Sequence, residues 1–160
     1  MVSLELNDEE KLVQQVARDF ARRNVAALEA TGADVVFADC AACSGMLKEY
    51  GELLADDPVW AERARAIAAR TRDFTELALD LLPSGPPLGR VERVVTYHEP
   101  CHLAHAQRIS AAPRALLRAI PGLELREMAA ADVCCGSAGV YTFRRWNESL
   151  TLLSAKVVNA

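Results

Sequence analysis

Leu12, Val16 and Phe20 recur every fourth position, and Val25 and Leu28 continue close to the same line. That spacing predicts an amphipathic helix with these residues inward. Asn7 with Glu10 three residues on has the spacing of a capping box at its start, and Gly32 stands where a left-handed residue ends it. ADVVFAD (33–39) is a short apolar run between turn-forming residues and reads as a buried strand. A helix follows from near Ser44, and Asp57-Pro58 opens another, with Pro58 at its first position. Asp73 and Glu76 make a second capping-box spacing ahead of FTELALDLL. RVVTYHE (93–99) and LELREM (123–128) read as strands, with a helix from Pro113 to Ile120 between them. CCGSAG (134–139) is a tight glycine-containing turn. The tail from Asn147 to Ala160 reads as a last helix with Leu150, Leu153 and Val157 inward. Strands alternating with helices predict an α/β fold, a parallel sheet with flanking helices.

PSGPPLG (83–89), with three prolines and two glycines, is the best internal boundary. It divides the chain into 1–82, a linker over 83–89, and 90–160. The two parts echo each other faintly, because each has a strand that runs directly into a cysteine, at Cys40 and at Cys101.

Composition narrows the function classes. The chain has 160 residues, 51% hydrophobic and 25% charged, enough for a packed core. A formal net charge of −4 gives no overall electrostatic footprint for nucleic acid, so none is expected as a partner. No apolar run approaches the roughly 20 residues that span a bilayer. MVSLELNDEE has neither the basic start nor the apolar stretch of a secretory signal. A cytoplasmic setting is the expectation, and thiols stay reduced there. Five cysteines are then more readily metal ligands or redox groups than staples.

Cys40, Cys43, Cys101, Cys134 and Cys135 all fall in loops or helix starts near strand ends, where open α/β sheets place their sites. Iron–sulfur clusters are held by such thiolates. Cys40-x-x-Cys43 alone is equally a redox pair or half a zinc site. The adjacent pair Cys134-Cys135 is more specific, since neighbours can ligate two irons of one cluster. Gly136 and Gly139 then allow a close backbone approach. Other readings stay open. Cys40, Cys43, Cys101 and His102 make a possible zinc set. Cys101 with a histidine base makes a possible nucleophile, although it leaves Cys134-Cys135 unexplained. The plainer role of His102 and His105 is a helix face that hydrogen-bonds the loop.

YHEPCHLAHAQRI, then PRALLRAIPGLELREM, then CCGSAG resemble the cysteine-rich (CCG) domain. That domain occurs in the iron–sulfur subunit of glycolate oxidase and in a subunit of heterodisulfide reductase. It also occurs in lactate-utilisation and anaerobic glycerol-3-phosphate proteins. DCAACSGMLKEYGELLADDP and TRDFTELALDLLP look closest to the glycolate oxidase subunit. The family pattern is a single Cys, a later Cys-Cys pair, and then a cysteine loop that is often Cys-x-x-Cys. The whole usually occurs twice. Cys101 matches the single Cys of a second copy, and Cys134-Cys135, after 32 intervening residues, matches its pair. Cys43, with Cys40 in the Cys-x-x-Cys version, matches the closing loop of a first copy. Lys48, Glu49 and Tyr50 belong to that motif by resemblance; their plainer role is a solvated helix face.

The resemblance therefore implies a Rossmann-like α/β chain made of parts of two related halves, and a truncated one with incomplete cluster sites. It implies 4Fe–4S type cluster binding by Cys40, Cys43, Cys101, Cys134 and Cys135 beside Gly136, each copy being expected to serve its own site; zinc or no metal is the rival reading of the same residues. It implies a non-catalytic electron-transfer role and a flavin-containing subunit that oxidises a 2-hydroxy acid such as glycolate. Other iron–sulfur regions would be further partners, and the inner face of the membrane a location reached through them.

Overall fold

A computed structural model describes residues 6–137 and 139–158. Ala138 of the expected turn and Asn159-Ala160 of the expected last helix lie outside the described residues. The chain forms two compact units, Met1–Asp73 and Phe74–Ala160. The Pro/Gly stretch 83–89 lies inside the second. Strand pairing is parallel, as the alternation of elements predicts, and it is divided between two two-stranded sheets.

The first unit begins with α1 (Asp8–Ala30). Its capping box forms: Glu10 N–H donates to the Asn7 side chain at 2.9 Å, and Asn7 N–H donates to the Glu10 carboxylate at 2.8 Å. Gly32 ends it with φ +64. Strand β1 (Val36–Ala38), α2 (Ala41–Leu53), α3 (Ala61–Arg70) and β2 (Thr71–Asp73) follow. Val36 pairs with Thr71 and Ala38 with Asp73. Ala21, Val25, Tyr50, Leu54, Ala64 and Ile67 form the core, with Leu28, Leu47, Leu53 and Trp60 packed against it.

Three expectations change here. The core takes up only the later half of α1, so Leu12, Val16 and Phe20 are exposed rather than inward. The strand after α1 is three residues long and only Val36 of it is buried, because it has one strand neighbour and Phe37 faces out. Tyr50 belongs to the core, not to a solvated face, and its hydroxyl accepts from the Asn24 amide at 2.7 Å.

The second unit contains α4 (Phe74–Leu81), a short 3-10 turn at Leu82–Ser84 and β3 (Arg93–Thr96). Next come a π-helical turn at His102–Ala106, α5 (Ala111–Ala119) and β4 (Leu123–Arg126). The unit ends with α6 (Val140–Arg144) and α7 (Trp146–Val158). Arg93 pairs with Leu123 and Thr96 with Arg126, with α5 in the crossover. Helix α7 turns a different face inward than its apolar residues predict. Leu150, Leu153 and Val157 are exposed, whereas Ser149 and Lys156 are buried. The reason lies in what those two polar side chains hold.

Candidate metal centre

In the first unit, α2 begins three residues earlier than its sequence suggests. Cys40 is therefore the N-cap residue, extended at φ −97, ψ 116, and Cys43 lies in the first turn. Both are exposed thiols. The backbone N–H of Cys43, and then its thiol, hold Cys40 below the usual thiol range. Cys43 is raised, chiefly through its hydrogen bond to Cys40. Behind them Ser44, fully buried, donates its hydroxyl to Asp73 at the end of β2 at 3.1 Å. Its backbone N–H donates to the Cys40 carbonyl at 2.9 Å. The pair thus sits at the carboxyl end of β1, braced from the neighbouring strand.

In the second unit, Cys101 starts the helical turn after β3, and Cys134-Cys135 lie in the loop between β4 and α6. These three thiols line one cleft of about 240 Å3 together with His98, Pro100, His102 and Ser137. Burial pushes the Cys101 thiol up, and the Cys134 and Cys135 sulfurs beside it push the same way. Gly136 N–H donates to the Cys134 sulfur at 3.3 Å. Gly136 has φ +77, and a Cβ there would stand 2.6 Å from the Ser149 carbonyl oxygen and 2.9 Å from the Leu152 Cβ. Glycine is thus required where the turn presses on α7.

The loop entering this turn has no strand to bond its carbonyls. Four consecutive carbonyl oxygens, of residues 130 to 133, are instead met by donors from elsewhere. Lys156 Nζ donates to Ala130 at 2.9 Å, Ala131 at 2.7 Å and Val133 at 2.6 Å. Ala131 O also takes Glu99 N–H at 3.0 Å and lies 3.2 Å from His98 Nδ1. His105 Nε2 lies 3.1 Å from Asp132 O, so His105 has the plain loop-bonding role. Past the cysteines, Ser149 Oγ donates to Gly136 O at 2.8 Å. Glu99, buried in the loop after β3, pairs with Arg114 on α5, which also reaches Glu127 at 3.0 Å and lies over the Tyr97 ring. The Arg114 guanidinium holds the Glu99 carboxyl below its usual range.

The structure brings Cys101, Cys134 and Cys135 together, with Gly136 on the same turn, and sets Cys40 beside Cys43 in the other unit. The sequence reading missed Lys156, Ser149, Glu99 and Arg114. Ser149 and Lys156 are seven residues apart, two helical turns, and that spacing was the available signal. Among the described residues, no three His, Cys, Asp or Glu side chains are gathered closely enough to hold a metal ion as they stand. A multi-iron cluster, however, takes each thiolate on a different iron, so its ligands need not meet at one point. Three thiols spread along one cleft, one already accepting a backbone N–H, suit that group.

Residues 7–48 and 95–160 match the cysteine-rich domain family. The chain is 38% identical over 145 residues to the "Probable glycolate oxidase iron-sulfur subunit" of Bacillus subtilis, covering 90% of this chain and 33% of that protein. It is 33% identical over 141 residues to "Lactate utilization protein A" of Lysinibacillus sphaericus, covering 88% of this chain and 61% of that one. With the protein of the same name from Shouchella clausii it shares 34% identity over 125 residues, 78% of this chain and 52% of the relative. The chain thus spans about a third of the first relative's length and between half and two thirds of the other two. No solved structure matches. Among the described residues, no helix is long and apolar enough to cross a membrane.

Proposed function

The chain belongs to the cysteine-rich (CCG) domain family, and from that membership we propose that it holds an iron–sulfur cluster of the 4Fe–4S type and serves as an electron-transfer module. The observation that carries the reading is the cleft shared by Cys101, Cys134 and Cys135. The names of its relatives, an iron–sulfur subunit and a lactate-utilisation protein, point the same way.

When bound, the cluster supplies one-electron transfer. The chain's own residues bind and tune. Cys101, Cys134 and Cys135 are the proposed ligands in the second unit, and Cys40 and Cys43 are proposed in the first. Gly136 N–H bonds to sulfur, which spreads thiolate charge and favours the reduced state. Half-burial of Cys101 and Cys135 limits water at the site. No acid–base machinery is assigned to this chain. Its proposed partner is a flavin-containing subunit that oxidises a 2-hydroxy acid such as glycolate or lactate, in the cytoplasm.

Anaerobic purification followed by iron, sulfide and zinc counts and visible absorption tests this. The expected result is a brown protein whose colour and iron fall at least several-fold in Cys101→Ser, Cys134→Ser and Cys135→Ser. Cys40→Ser and Cys43→Ser report whether the first pair shares in iron binding. Colourless protein holding one zinc per chain overturns the reading.

A further inference from the structure

Lys156 is 6% exposed, and all three of its N–H donors go to the carbonyls of Ala130, Ala131 and Val133. An ammonium has three donors, so its hydrogen bonding is complete. Its charge is not balanced in the same way. The three acceptors are neutral, and among the described residues no carboxylate pairs with it. A buried cation without a counter-charge is costly, and proteins keep one only where something compensates. The residue directly after the last of its carbonyls is Cys134. One helical face carries Ser149 as well, and Ser149 holds Gly136 O on the far side of the cysteines. Helix α7 therefore grips the Cys134-Cys135 turn before and after the thiols, and places a positive charge on the leading side.

We propose that Lys156 is a positioning residue and the counter-charge of the thiolate site. Its carbonyl contacts set where Cys134 and Cys135 project, and its charge stabilises the negative charge that thiolates and a cluster bring. The second half of this statement rests on the cluster reading above; the first does not.

The test uses the full chain with Lys156→Met and Ser149→Ala. In the metal-free protein, amide hydrogen exchange over residues 130–136 is expected to rise at least tenfold in Lys156→Met, with β3, α5 and β4 of the same unit unchanged as a control on folding. Unchanged exchange there overturns the clamp. After reconstitution with iron and sulfide, Lys156→Met is expected to show a lower midpoint potential than the wild type, because a nearby cation favours the reduced, more negative state. Ser149→Ala loosens the turn at Gly136 without altering charge and is expected to shift the potential by less than Lys156→Met does. A cluster with the same potential in Lys156→Met overturns the counter-charge role. Wild-type protein that takes no cluster overturns both that role and the cluster reading, while the exchange result still decides the clamp. Should Lys156→Met unfold the second unit, Lys156→Gln, which keeps a donor and drops the charge, carries the same comparison.

Discussion

Gly136 and Gly32 share a left-handed backbone and differ in what surrounds them. A Cβ on Gly32, at φ +64, meets nothing within 4 Å, whereas one on Gly136 would collide with the Ser149 carbonyl. The left-handed conformation alone costs an L residue about 1–2 kcal/mol. Gly32→Ala is therefore expected to lose only that much, and Gly136→Ala clearly more, because backbone on α7 has to move. Urea unfolding of both variants checks the ordering; equal losses would mean that α7 yields easily. The residue type at 136 was legible as a turn glycine. The reason for it was not, because the neighbour that excludes a side chain comes from another helix.

Among the elements, α5 is joined to the loop that follows β3 by Arg114 and Glu99, which is 8% exposed. The Glu99 carboxyl is held below its reference value of 4.5 by Arg114. A depressed carboxylate contributes stability that is complete above the unfolded value and is lost as pH falls through the folded one. The second unit is expected to weaken as pH drops below about 4.5, and Glu99→Gln to show a shallower decline over that window. Arg114→Leu leaves the carboxylate buried without its partner and is expected to cost about 3–5 kcal/mol at neutral pH. Acid titrations followed by circular dichroism measure both; parallel acid curves for wild type and Glu99→Gln would sink the assignment. Periodicity and capping disclosed α1, α5 and the stronger strands. They did not disclose β2, because Thr71-Arg72-Asp73 is short and polar and is a strand only by pairing with β1. They also misled about α7, where hydrogen bonds to the loop at 130–133 outrank the burial of Leu150, Leu153 and Val157.

Over the whole molecule, the parallel α/β character and the five cysteines were readable in the sequence, whereas the polar support of the thiols was not. His105, read as a loop-bonding histidine, is the exception; the other members, at 98, 99, 149 and 156, are scattered and chemically ordinary until folded. The chain also leaves apolar side chains outside, with Leu12, Val13, Val16 and Phe20 on α1 each more than half exposed. A contiguous apolar stripe of this kind binds hydrophobic dyes. Anilinonaphthalene sulfonate fluorescence is expected to rise with the folded protein and to fall at least twofold in the Val16→Glu, Phe20→Glu double variant; an unchanged signal would place the dye elsewhere. The pinned carbonyls at 130–133 carry one more consequence, and it concerns time. Strands β3 and β4 pair, and α5 closes between them, using residues that a ribosome has delivered by position 126. The loop that presents Cys134 and Cys135 stays without its main donor until Lys156 has been made and α7 has folded back. The cleft is thus a late product of folding, and the cluster proposed for it loads onto a second unit in which α7 is already in place.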